Sequence, residues 1–225
     1  MESEKKLIIF DLDGTLYKLQ GGSYGDSFLR QKVISNAKKY IAEHLGKKEV
    51  KEIENIFSVI EDKYGEDISL GLEKEYGLDR YDYFNVVWNI PAKDVVETDP
   101  ALGNTLATLS QNFTLSLLSD APKIWISNVL KELDIERFFV GYIFSGEGDR
   151  RKGFGNAFSS IVAQLGIDPK NCISVGDQDR TDIIPAKEAG MRTIFVQHGE
   201  PSTVADINIE KITDLSPEML KFLKQ

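Results

Sequence analysis

The chain has 225 residues, 41% hydrophobic and 28% charged, which suits one large domain carrying an insert and excludes a disordered chain. Its formal net charge of −9 argues against nonspecific binding to nucleic acid or to anionic membranes. A single cysteine, Cys172, excludes an internal disulfide, and its apolar surroundings in sequence suit a buried core thiol.

Residues 1–6 lead straight into a short apolar run, without the longer apolar stretch of a signal peptide. No segment has the length of a transmembrane helix. The expected setting is the cytoplasm, as a monomer or homodimer.

The apolar run 7–10 reads as a buried strand and is followed by Asp11-Leu12-Asp13-Gly14-Thr15. A long helical stretch comes next. Val33, Ala37, Ile41 and Leu45 share one helical face, as do Ile53, Phe57 and Ile60, and then Tyr83, Phe84, Val87 and Trp88. Residues 17–97 are expected to form a helical cap inserted into an α/β catalytic core made of 1–16 and 98–225. Pro91 and Pro100 bracket the return to that core. The aromatics Tyr64, Tyr76, Tyr83, Phe84 and Trp88 suit the cap's own core, with stacking on a nucleobase as the alternative.

Further strands are expected at 114–118, 142–144, 172–175 and 193–196. Between them, Ile124, Ile126, Val129, Leu130 and Leu133 fall on one helical face, and Phe158, Ile161, Val162 and Leu165 on another. Residues 206–225 read as a strand end and a final helix. Alternating strands and helices predict the fold class: α/β, a doubly wound parallel sheet with an inserted α-helical cap domain.

Polar residues follow the strands. Asp11 and Asp13 follow the first, Ser119 and Asp120 the second, and Asp177 and Asp182 the fourth. Ligands of open α/β sheets bind beyond the carboxyl ends of the strands, so these groups should converge on one edge. Gathered carboxylates repel one another, and either protons or a cation must relieve them. The available ligands are hard oxygens, which favour magnesium over zinc. Asp11 and Asp13, at alternate positions of an extended segment, can reach one ligand, with one carboxylate as nucleophile and the other managing the leaving-group proton. The same residues have plainer uses. Ser119 and Asp120 suit a helix start before Pro122, and Asp182 suits one before Ile183. His44 and His198 are expected to stand outside the chemistry.

Asp11-Leu12-Asp13-Gly14-Thr15-Leu16-Tyr17 resembles the first motif of the haloacid dehalogenase-like hydrolase superfamily. Leu117-Leu118-Ser119-Asp120 resembles the second, Lys152 the third, and Gly176-Asp177 with Asp182 the fourth. The helical insert resembles the family's C1-type cap. Leu16-Tyr17, Lys63-Tyr64-Gly65 and Asp99-Pro100 add a weaker resemblance to the pyrimidine 5′-nucleotidase-like branch. The resemblance implies Asp11 as nucleophile and Asp13 as acid and base. Ser119 and neighbouring amides, including the Asp120 position, would hold phosphate, and Lys152 would stabilise its charge. Mg²⁺ would be ligated by Asp11, the Asp13 carbonyl, Asp177 and Asp182, with Asp179 as the alternative to Asp182. Lys152-Gly153 stands where the family has Lys-Pro, and Arg150 and Arg151 compete for its role.

The resulting expectation is a magnesium-dependent phosphomonoesterase acting on a nucleoside monophosphate or another small phosphorylated metabolite. The alternatives are a sugar phosphomutase and a noncatalytic phospho-ligand binding module. A dehalogenase is disfavoured by the acid at Asp13.

Overall fold

Six strands stand out among the described residues: β1 (Leu7–Phe10), β2 (Thr114–Ser119), β3 (Ile143–Ser145), β4 (Cys172–Gly176), β5 (Arg192–Val196) and β6 (Ile207–Ile209). The structure, a computed structural model, describes residues 6–20, 24–97, 99–147, 151–152 and 156–224. The strands form one parallel sheet in the order β3-β2-β1-β4-β5-β6. All four residues of β1 are buried, as expected for a short apolar strand covered on both faces. Phe10 pairs with both Leu117 and Val175, so β1, β2 and β4 run level towards their carboxyl ends. The chain builds outward from β1 to β3 and then returns to the other side at β4. This reversal is the switch point at which such sheets open a crevice.

Strand alternation divides the core between two faces. Ile8 and Phe10 face α5 (Leu102–Ser110) and α6 (Lys123–Glu132) through Leu106, Trp125 and Val129. Leu7 and Ile9 face α7 (Ala157–Leu165) and α8 (Ile184–Glu188) through Phe158, Ile161 and Ala186. Cys172 lies in this second core, and burial pushes its thiol up to about 12, so it stays unionised.

Four helices stand between β1 and α5: α1 (Phe28–His44), α2 (Val50–Tyr64), α3 (Ile68–Tyr76) and α4 (Arg80–Val87). Ser27 starts α1 by accepting the Arg30 N–H, and Asp67 and Asp79 cap α3 and α4 in the same way. The inward face of α1 carries Leu29, Val33, Ala37, Tyr40 and Ile41, while Leu45 lies just past its end. Tyr83 is buried edge-on against Tyr40, Trp88 stacks against Tyr24, and Tyr76 is exposed. Leu19 and Val96 pair as a short antiparallel bridge where the chain leaves and re-enters the sheet region.

Residues 207–209 complete the sheet as β6, but 3-10 turns at Ile212–Asp214 and Met219–Lys224 replace the expected final helix. No helix among the described residues is long and apolar enough to cross a membrane.

Candidate active site

Asp11 leaves β1 at the switch point and is 6% exposed. Its backbone N–H donates to the Val175 carbonyl at 2.9 Å, so β1 stays attached to β4 for one residue beyond the strand. The chain then turns at Gly14, whose φ of +90° lies in the left-handed region. A Cβ at Gly14 would also strike the Asp177 carboxylate, so glycine lets the two motifs approach. The turn returns Thr15, whose hydroxyl donates to Asp11 Oδ2 at 3.0 Å.

Lys152 arrives from the loop after β3 and is 5% exposed. Its ammonium donates to Asp11 Oδ1 at 2.5 Å and to Asp182 Oδ1 at 2.7 Å. Burial alone would depress the ammonium; Asp11, Asp182 and Asp120 outweigh it and hold Lys152 charged. The Asp120 carboxylate is turned towards this loop and accepts the Lys152 backbone N–H at 2.8 Å. Arg151 points elsewhere and pairs with Asp67 of the α3 cap at 2.7 Å. Arg150 and Gly153 lie outside the described residues.

After β4 the chain makes a single π-helical turn, Asp179–Ile183, before α8. The wide turn brings Asp182 back over Gly176, where a Cβ would collide with the Asp182 side chain. Asp182 Oδ2 accepts the Gln178 N–H at 3.1 Å, and the Ser174 hydroxyl donates to its carbonyl at 2.9 Å. Its carboxylate therefore looks back to the sheet edge and does not cap α8. Ser119, 1% exposed at the end of β2, accepts the Ala121 N–H at 3.1 Å. The start of α6 lies at Pro122.

Carboxylate oxygens of Asp11, Asp177 and Asp182 lie within 4.8 Å of one another, and Asp179 is not part of that group. Asp177 Oδ1 is buried without a hydrogen-bond partner, as is Asp179 Oδ1. Burial, then repulsion from Asp11 and Asp182, pushes Asp177 up to about 8. Asp182 is pushed up to about 6, chiefly by burial. One ammonium does not balance three carboxylates here. A set of hard oxygen donors with an unsatisfied buried member fits a divalent cation.

Asp13 sits on the other side of the turn. Its Oδ1 accepts the Trp125 indole N–H at 2.8 Å and the Tyr17 hydroxyl. Burial and the neighbouring Asp11 push Asp13 up to about 6. Neither Tyr17 nor Trp125 carries a role in the motif resemblance, and Trp125 is absent from the apolar face expected for α6. Trp125 is fully buried there, four residues before Val129, and that helical spacing was its only signal in the sequence. His198 also reaches the site. Its Nε2 contacts the Gly14 carbonyl and stands 3.9 Å from Asp177 Oδ2, bracing the first turn against the fourth motif.

A cavity of about 70 Å³ opens between the cap helices and the sheet edge. Tyr24, Arg30 and Trp88 line it from the cap side, and Asp120, Pro122 and Arg151 from the sheet side.

The chain is similar to several known proteins. Phosphoglycolate phosphatase of Escherichia coli K12 is 27% identical over 127 residues, 53% of this chain and 50% of that protein. The chain thus spans about half the length of the curated relatives it matches. The crystal structure of an HAD phosphatase from Thermococcus onnurineus superposes with a TM-score of 0.66 at 20% identity, covering 97% of each chain. A 2-haloacid dehalogenase from Pseudomonas syringae gives 0.65 at 22%, covering 97% of this chain and 99% of that one. At such identities these two likenesses show the fold alone. The haloacid dehalogenase-like hydrolase family matches residues 5–190, and the chain belongs to that family.

Proposed function

We propose that the protein is a magnesium-dependent phosphomonoester hydrolase that works through an aspartyl-phosphate on Asp11. The observation that carries this reading is the Lys152 ammonium held between Asp11 and Asp182, beside the unpartnered Asp177 oxygen. Asp11, the Asp13 backbone carbonyl and Asp177 would hold the ion. Asp182, whose oxygens accept from Lys152 and the Gln178 N–H, would assist directly or through water. When bound, magnesium neutralises the carboxylate cluster and the phosphoryl oxygens.

Lys152 and Thr15 each hold one Asp11 oxygen, so the nucleophile meets phosphorus in a fixed orientation. A carboxylate oxygen of Asp11 bonds to phosphorus as the bond from phosphorus to the ester oxygen breaks. Asp13 gives its proton to the departing oxygen. Burial favours that role, because it keeps a larger fraction of Asp13 protonated near neutral pH. The Asp13 carboxylate then takes a proton from water, whose oxygen attacks phosphorus. The bond from Asp11 to phosphorus breaks, and inorganic phosphate leaves. Ser119 has its oxygen fixed by the Ala121 N–H, which leaves its own proton to donate to phosphate. Asp120 would contribute its main-chain amide, since its carboxylate faces Lys152.

The division into a core of 1–16 and 98–225 and a cap of 17–97 belongs to the same reading. The cap closes over the site, and its residues Tyr24, Arg30 and Trp88 share a cavity with Asp120, next to Ser119. The substrate is a nucleoside monophosphate or another small phosphorylated metabolite. The phosphoglycolate phosphatase relatives favour the second.

Phosphate release from a panel of nucleoside monophosphates, sugar phosphates and short acid phosphates tests the proposal. Each is assayed with magnesium, with chelator and with Asp11→Asn. Turnover that needs magnesium and vanishes in the variant is expected. Undiminished turnover in Asp11→Asn removes the nucleophile assignment.

A further inference from the structure

A carboxylic acid delivers its proton from one of its two oxygens, and surrounding donors decide which. On Asp13 two donors converge on the same atom. The Trp125 indole N–H donates to Oδ1 at 2.8 Å, and the Tyr17 hydroxyl donates to Oδ1 as well. They approach from separate parts of the chain, since Tyr17 is four residues from Asp13 and Trp125 is 112 residues away on α6. An indole N–H is a donor only and tolerates no second donor opposite it. Oδ1 is thereby held as the accepting, carbonyl-type oxygen. Trp125 is fully buried and Tyr17 is 5% exposed, so water does not readily replace either contact.

We propose that Trp125 and Tyr17 are positioning residues that clamp Asp13 so that Oδ2 carries and delivers the proton. The inference rests on the hydrolase reading above. As the ester bond to phosphorus breaks, the proton on Oδ2 passes to the leaving oxygen. The two donors stay on the carboxylate so formed, which then accepts the proton of the attacking water. Without them the carboxyl rotates, and the acid is misaligned in part of the population.

The alternative role for both residues is packing alone, and leaving-group chemistry separates the two. A 4-nitrophenolate departs without a proton, whereas an alkoxide needs one. The experiment measures kcat/KM for 4-nitrophenyl phosphate and for the alkyl monoester turned over fastest in the panel, both with magnesium and on one preparation. The quantity read is the ratio of the alkyl to the aryl value. Loss of folded enzyme lowers both values and leaves the ratio unchanged. In Trp125→Phe and in the near-isosteric Tyr17→Phe the ratio is expected to fall about tenfold, the worth of one strong hydrogen bond. In Asp13→Asn it should fall by about a hundredfold or more. An unchanged ratio in both donor variants, with a reduced ratio in Asp13→Asn, overturns the positioning role and leaves the hydrolase reading standing. Hydrolysis of neither ester by the unaltered protein removes that reading and this inference together.

Discussion

Asp11 and Asp13 are separated by one residue, yet they occupy opposite kinds of surroundings. Asp11 lies on the ionic side, gripped by the Lys152 ammonium and close to Asp177 and Asp182. Asp13 lies on the uncharged side, where burial and the neighbouring Asp11 push it up to about 6 against the opposing pull of an indole and a phenol. The same side-chain type is thus prepared for two tasks, attack on one side and proton delivery on the other. The comparison teaches that environment assigns these roles, because a charged partner and a neutral donor stabilise a carboxylate to different degrees.

The sharpest break of that comparison is Asp11→Asn. It should lower phosphate release on the order of a thousandfold or more, since an amide is a poor nucleophile. Single-turnover assays check it, and trapping of a phosphorylated intermediate should succeed only with Asp11 present.

Removing the cation from the ionic side comes next. Lys152→Met leaves buried carboxylates without their ammonium and should cost roughly 3–5 kcal/mol. Urea unfolding in chelator measures it. The same substitution is expected to leave the Asp13 side intact, with the combined fluorescence of Trp88 and Trp125 unchanged in the folded state.

Protonation on the ionic side should show in stability. Burial and like charges raise Asp177 from 3.8 to about 8, so the metal-free folded state binds more protons than the unfolded state across that window. Stability should then fall as pH rises from about 4 to about 8, by an amount on the order of a few kcal/mol. Magnesium should restore most at the alkaline end. Thermal melts with and without the ion, across that range, give the answer. A flat metal-free profile would contradict the crowding of these carboxylates.

The smallest effect is expected at the seam. Arg151 joins the loop that carries Lys152 to Asp67 of the cap, and both side chains are partly exposed. Arg151→Ala should cost roughly 0.5–1 kcal/mol in unfolding measurements and raise KM more than it lowers kcat.

Much of this was legible beforehand because it rests on short-range rules. Four-residue apolar strands and helical faces such as Val33, Ala37 and Ile41 follow from local periodicity, and the structure places them as expected. The clearest difference lies at residues 206–225, whose apolar side chains suggest a helix where only 3-10 turns form. The role of Trp125 was hidden in the sequence. Periodicity marks a residue as buried but says nothing of where a polar tip points.

The sequence by itself determined the parallel α/β plan, the inserted helices and which strand ends carry Asp11, Asp13, Ser119, Asp177 and Asp182, because pattern and spacing act along the chain. Only the tertiary structure decided that Lys152 bridges Asp11 to Asp182, that a π-helical turn sends Asp182 back to the sheet edge, and that Asp13 meets Trp125. These pairings join residues 30 to 141 positions apart, and such contacts depend on sheet order and on the burial that makes an unpaired charge costly.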